Sequence, residues 1–282
     1  SSCNYKLKTL FLLAHWKAMA DVRDPPMLAQ SVKDRNLPPE IRLGFVRKVY
    51  GLLGFLLVIS FGLASPFVFN PDKAMDFMNA NPWITGLVSV VLLIHQCVNI
   101  AMCFESCCGG GPCQRTYFRM FMTWPWNYMF LITYAVCIGV LLGIICSTYK
   151  AESVILIFLM TAGIMGALTV YAAYTKTDFT GCGMYICAFC CGLLIMGLVS
   201  MFVPFGSVMH RVYAALGAIL CSFVIVYDTQ LIFGSASYEM NRSAVRKIEF
   251  TIDMYAFAAY QLYLDFVNMF LYLLELFGER RR

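Results

Sequence analysis

Two acidic residues sit inside long apolar runs, and chemistry is to be sought there first. Asp228 lies near the end of the run Val212–Phe233, in Val226-Tyr227-Asp228-Thr229-Gln230, and Asp265 lies near the start of Leu262–Phe277. An ionised side chain at mid-bilayer costs about 2.5–3.5 kcal/mol on insertion scales, so such residues usually mark a pathway or a relay. Gln261, Asp265, Asn268, Tyr272 and Glu275 follow one another at spacings of four, three, four and three. That period lays them along one stripe of a helix. A polar stripe needs internal partners or water, because lipid supplies neither. Asp228 lies seven and eleven residues beyond Cys221 and Gly217, on a face that also carries Ala214 and Ala218. Small residues let membrane helices approach closely, so this carboxylate is expected to point into a bundle.

Depth brings the two together. Counted from Phe233 and from Tyr260, each aspartate is five residues inside the core, roughly 7–8 Å. Two carboxylates within a few ångströms cannot both ionise easily and should share a proton. Such a pair senses acidity, and once deprotonated it offers oxygen ligands to a hard cation such as Ca²⁺. The plainer alternative is a protonated Asp–Asp hydrogen bond that only locks two helices.

The elements that must position these groups are membrane helices. The chain is 60% hydrophobic and 13% charged, against about 25% charged in soluble domains. Apolar blocks recur at Val49–Phe69, Trp83–Phe104, Trp124–Tyr149, Ser153–Thr175, Phe179–Met209, Val212–Phe233 and Leu262–Phe277. About 20 apolar residues cross a bilayer, and the alternating ten-residue pattern of spanning strands is absent. The expected fold is an all-α integral membrane bundle of seven helices. Residues 1–44 read as a cytosolic tail lacking fixed structure, 45–278 as the membrane domain and 279–282 as a basic tail. Near the start, Thr9–Ala14 is an apolar core of about six residues, short of the 7–15 of a signal peptide, so no leader is expected there.

Net charge is +5, but the basic residues gather in no groove-sized patch, which argues against nucleic acid. They report orientation instead. Nine precede Val49, and Arg115, Arg119, Lys176, Arg242, Arg246 and Lys247 fall on the same side, against Lys73, Lys150 and Arg211 on the other. The N-terminus is therefore expected in the cytosol. Arg280, Arg281 and Arg282 conflict with seven full crossings. Leu262–Phe277 is only 16 residues long, about 24 Å, so an incomplete last crossing would keep that tail cytosolic.

Other polar groups give weaker signals. His95, Gln96 and Asn99 share a helical face and could line a watery route or make an interhelical hydrogen bond. Asp178 suits a helix cap in a short turn. Cys103, Cys107, Cys108 and Cys113 flank Gly109-Gly110-Gly111-Pro112. Reduced thiols are the plain reading; palmitoylation suits juxtamembrane cysteines, and the spacing does not suit zinc.

Six ordered motifs resemble the transmembrane Bax-inhibitor-motif family, nearest its Lifeguard branch. They are Phe45-Val46-Arg47-Lys48-Val49-Tyr50, Pro125-Trp126-Asn127, Thr175-Lys176-Thr177-Asp178-Phe179-Thr180, Tyr213-Ala214-Ala215-Leu216-Gly217-Ala218, Tyr227-Asp228-Thr229-Gln230-Leu231 and Tyr255–Asp265. The resemblance covers about residues 45–278. It implies six helices around a short central seventh, a pH-dependent calcium leak across ER, Golgi or plasma membranes, and suppression of cell death; ER or Golgi is expected here ahead of plasma membrane. Its paired aspartates match Asp228 and Asp265. An arginine latch on the pair, known in a bacterial relative, has no match at Phe104-Glu105-Ser106, which leaves Arg115 and Arg119 as latch candidates.

The sequence therefore points to a non-enzymatic calcium leak. Asp228 and Asp265 serve as pH sensor and calcium-binding pair. Gln261, Asn268, Glu275, His95 and Asn99 are the pore-lining candidates. Lipid, calcium and cell-death regulators are the expected partners, and no cofactor is expected. One competing reading is an interaction protein that transports nothing and binds death regulators through its cytosolic loops. The other, an intramembrane aspartyl protease, lacks the G-x-G-D and P-A-L motifs.

Overall fold

A computed structural model of the chain describes residues 39–107, 119–175, 177, 179–202, 206–233 and 254–281. Eight α-helices are seen among them: α1 Pro39–Phe69, α2 Pro71–Ala80, α3 Pro82–Cys107, α4 Trp126–Cys146, α5 Ala151–Tyr174, α6 Gly183–Phe202, α7 Ser207–Phe233 and α8 Tyr255–Phe277. A single 3₁₀ turn, Thr180–Cys182, precedes α6. Each apolar block of the sequence contains a long helix, and Phe179–Met209 is divided among the 3₁₀ turn, α6 and the start of α7. Helix α2 is an addition at Pro71–Ala80, set by prolines at the starts of both α2 and α3, where a missing N–H costs nothing. The pair α2 and Pro82–His95 of α3 bends by 86°.

Five helices are long and apolar enough to cross a membrane alone: α1, α4, α5, α7 and α8. The bent α2–α3 pair qualifies as one broken span, and α6 holds a shorter apolar stretch, Tyr185–Gly197. Helix α1 begins at Pro39, so residues 39–44, assigned above to the tail, are helical. Pro39 and Glu40 explain the early start: proline suits the first turn, and an acid there complements the helix dipole.

Helix α8 is the axis of the bundle. Every residue from Ala256 to Leu274 is buried, which a helix achieves only when it is enclosed on all sides. Its main neighbours are α1, α4, α5 and α7, while α3 packs chiefly on α4 and α6 on α7. Backbone proximity thus sets α1, α4, α5 and α7 nearest α8, with α3 and α6 farther out. Glycines explain the inner contacts. At Gly139 of α4 a β-carbon would lie 2.8 Å from the Ser60 carbonyl oxygen, and at Gly143 it would lie 2.5 Å from the Phe67 ring. Close approach of α1 and α4 then puts Ser60 Oγ 2.6 Å from Tyr263 Oη and 3.0 Å from the Ala135 carbonyl oxygen, a buried node of three helices.

Helix α8 is longer than the 16 apolar residues counted above and long enough for a full crossing. It starts at Tyr255 and runs 23 residues, about 34 Å at 1.5 Å per residue. The segment Tyr255–Gln261 extends the helix because it is apolar enough to be enclosed, with Ala256, Ala258 and Ala259 fully buried. One end of the bundle holds Arg42, whose Nε donates to the Ile232 carbonyl at 3.2 Å. There too Asn127 Nδ2 donates to Tyr255 Oη at 3.0 Å. The segment after α8 lies at the opposite end. Lys150 N donates to the Glu279 carbonyl at 2.9 Å and Arg281 N to the Thr148 carbonyl at 3.0 Å. The Arg281 guanidinium reaches the Val68 carbonyl at 2.8 Å, and Lys150 Nζ pairs with Glu279 at 2.5 Å. Arg280 and Arg281 therefore share an end with Lys150, away from Arg42. Backbone pairing with the Thr148–Lys150 turn, which charge counting does not see, holds them there.

Candidate functional site

Helix α7 shapes the site through four consecutive residues. The Tyr227 ring lies against Gly183, where a β-carbon would come within 3.2 Å of the hydroxyl, and so seats the start of α6. Asp228 turns inward and is 1% exposed. Thr229, also buried, lies beside Tyr50 of α1. Gln230 spans the α5–α6 connection: Oε1 accepts from Phe179 N at 2.8 Å, and Nε2 donates to the Thr177 carbonyl at 2.8 Å. Both ends of the amide are used, so Gln230 fixes the height of the α5–α6 turn beside Asp228.

Helix α8 supplies the other half. Asp265 is 1% exposed, and Gln261, Asn268 and Tyr272 are buried with it. The Tyr272 ring lies directly on the α7 backbone at Gly217. A β-carbon there would stand 2.7 Å from Cδ1 and nearer still to Cε1 and Cζ. The ring also packs edge-on against Tyr213, with centroids 6.1 Å apart. The small-residue face of α7 therefore receives the polar stripe of α8, as the spacing of Gly217, Cys221 and Asp228 implies.

The two aspartates converge on a thiol. Cys190 of α6 is fully buried and lies within electrostatic reach of both Asp265 and Asp228, with Cys187 and Cys191 beside it. It is also a neighbour of Tyr272, as is Cys221. Carboxylates from two contacting helices thus act on one point of a third, in surroundings that hold tyrosine hydroxyls and thiols. Sequence reading missed Cys190. The chain holds 13 cysteines, and nothing in the apolar run of α6 sets this one apart.

The remaining candidates are distributed differently. Glu275 is half-buried at the far end of the stripe, within electrostatic reach of Tyr149. His95 turns toward α4: its ring stacks on Phe130 at 4.5 Å and Tyr134 at 5.1 Å, and Nδ1 bonds the Val91 carbonyl at 2.9 Å. Its described contacts are with α4 and its own helix. Arg119 is exposed, ahead of α4. Arg115, Asp178, Cys108 and Cys113 lie outside the described residues, as do the side chains of Gln96, Asn99, Cys103 and Cys107.

Two buried amides on the stripe are incompletely bonded. Gln261 Nε2 and Asn268 Oδ1 meet no hydrogen-bond partner among the described residues. Those residues contain no cluster of three or more His, Cys, Asp or Glu side chains that could hold a metal. A calcium ion at the aspartates would need 6–8 oxygens, so backbone, amide and water oxygens would have to supplement the two carboxylates.

Fold and site define an integral membrane helical bundle with acidic groups buried at its axis. The family model "Inhibitor of apoptosis-promoting Bax1" matches residues 42–282, and the chain belongs to that Bax inhibitor family. It is 29% identical over 244 residues to "Protein lifeguard 3" of Homo sapiens, covering 86% of this chain and 70% of the relative. Identity to "Protein lifeguard 3" of Mus musculus is 28%, with 86% and 71% covered. "Protein LIFEGUARD 4" of Arabidopsis thaliana is 29% identical over 242 residues, with 85% and 86% covered. The Lifeguard resemblance of the sequence motifs and these matches agree.

Proposed function

We infer that the chain is a pH-sensitive calcium leak whose gate is the protonation state of Asp228 and Asp265. The observation that carries this reading is their shared position: both are 1% exposed, on contacting helices, within reach of the same Cys190. With one proton shared, the pair carries a single negative charge held in a hydrogen bond between the two carboxyls, and α7 can stay closed on α8. When the proton leaves, two like charges confront each other in a region of low dielectric, and repulsion there is far stronger than in water. Water or a cation must then enter, or the helices must part. Cys190 on α6 lies within electrostatic reach of both carboxylates, with Cys187 and Cys191 beside it, and Tyr272 on α8 neighbours Cys190, Cys221 and Tyr213.

In this account the protein sits in ER or Golgi membrane, with the Arg42 end of the bundle in the cytosol. Lowering stored calcium is how it restrains cell death, in keeping with the apoptosis inhibition that names its family. Purified protein in calcium-loaded vesicles tests the reading. Efflux should vary with pH in the wild type and lose that variation in Asp228→Asn/Asp265→Asn. Equal pH dependence in both proteins overturns the gate.

A further inference from the structure

The polar stripe continues beyond the aspartates, and its two fixed points define where it looks. Asp265 lies beside Cys190, and Tyr272 lies on Gly217. Asn268 comes between them, one turn after Asp265 on the same face, and Gln261 lies one turn before it. Both amides are almost fully enclosed, at 2% and 1% exposure. Each presents a polar atom with no hydrogen-bond partner among the described residues, Asn268 Oδ1 and Gln261 Nε2. Leaving such an atom dry costs about 1–3 kcal/mol, so a helix kept only for packing would carry leucine at both places. The surrounding helix shows that apolar residues fit: Leu262, Leu264, Val267 and Leu271 are all buried at 1% or less.

Resting on the leak reading above, we propose that Asn268 is a cation ligand that sets ion selectivity one turn from the aspartate pair. Its neutral carbonyl oxygen is the group a partly dehydrated Ca²⁺ needs beside carboxylates, which alone cannot fill a shell of 6–8 oxygens. Gln261 serves the approach from the other side. Its amide turns to offer an oxygen to the ion or an N–H to the water the ion carries, since side-chain amides hold both groups. The cation is then passed along α8 from amide to carboxylate to amide and never meets a bare apolar surface. Neither amide adds a charge, so titration stays with the acidic groups and the amides determine what passes.

The test uses the full chain in vesicles, with Ca²⁺ and K⁺ efflux measured in parallel at a pH where the wild type leaks. Asn268→Leu should cut calcium efflux about tenfold or more, the loss of roughly 1.4 kcal/mol of ion stabilisation. The calcium-to-potassium ratio should fall with it. Asn268→Asp should hold or raise that ratio. Melting of Asn268→Leu should match or exceed the wild type, because leucine removes an unsatisfied atom. Wild-type efflux and ratio in Asn268→Leu overturn the inference while leaving the leak reading intact, as does an equal fall for both ions. A melting point well below wild type makes Asn268 a structural group and also overturns it. Wild-type vesicles that pass neither ion overturn both.

Discussion

Gly217→Ala tests how closely the site is built. The added carbon would stand 2.7 Å from Tyr272 Cδ1 and nearer to two further ring atoms. Comfortable carbon–carbon contact begins at about 3.5 Å, so the ring must retreat by about 1 Å. It has little room: Tyr272 is fully buried, with Tyr213 packed edge-on and Cys190 and Cys221 as neighbours. Overpacking of this kind costs about 1–3 kcal/mol. At about 2–4 °C per kcal/mol for chains of roughly 150–250 residues, melting in detergent should drop by several degrees. Gly163→Ala is the matched control, with nothing within 4 Å of its β-carbon on α5. It should be neutral or gain up to about 1 kcal/mol from helix propensity. Gly217→Ala/Tyr272→Leu should recover much of the loss, since a flexible side chain yields where a ring does not. Thermal melting of the four proteins decides the matter. A Gly217→Ala protein as stable as Gly163→Ala would refute the claim that Tyr272 is seated on the α7 backbone.

Other outcomes follow from the same geometry. Ser60→Ala should cost about 1–3 kcal/mol by stranding the buried Tyr263 hydroxyl, whereas Ser60→Ala/Tyr263→Phe should cost clearly less than the sum of the single changes; additivity in a melting cycle would deny the 2.6 Å contact. Gln230→Leu should loosen the α5–α6 turn by stranding Phe179 N and the Thr177 carbonyl, and faster amide exchange at Phe179 would register it. The Lys150–Glu279 pair gives a sign for pH. Lys150 holds the Glu279 carboxyl below its usual range, and Glu279 holds the Lys150 ammonium above its own. The Glu279 contribution is lost as pH falls through its depressed value, and the Lys150 contribution as pH rises through its raised one. The tail contact should therefore be indifferent to pH between those limits, as seen by a spin or fluorescent label beside Gly278. A transition near neutrality in that label would mean that the tail, rather than the buried pair, responds to acidity.

The sequence announced the helices and the acidic pair because both announce themselves by cost. Long uncharged runs have no other stable home, and a carboxylate within one demands a reason. Periodicity likewise disclosed the stripe Gln261–Glu275 and the small face of α7. The span of α8 was hidden because Tyr255–Gln261 is aromatic and alanine-rich rather than strongly hydropathic, and only its enclosure by neighbours reveals it as part of the core. The docking of Gly278–Arg281 was illegible for another reason: main-chain bonds to Thr148 and Lys150 leave no residue-type signature, and the arginine charges pointed to the other end. Cys190 and Ser60 were invisible because a lone small polar residue in an apolar run reads the same whether it faces lipid or a carboxylate.

The most direct test is calcium efflux from vesicles, followed from acid to neutral pH, for the wild type, Asp228→Asn, Asp265→Asn and the double variant. If acidity is felt through one proton held between two helices, each single change should already flatten the response, and the double change should add little. Independent responses that sum across the two positions, or an unaltered pH curve in the double variant, would contradict it.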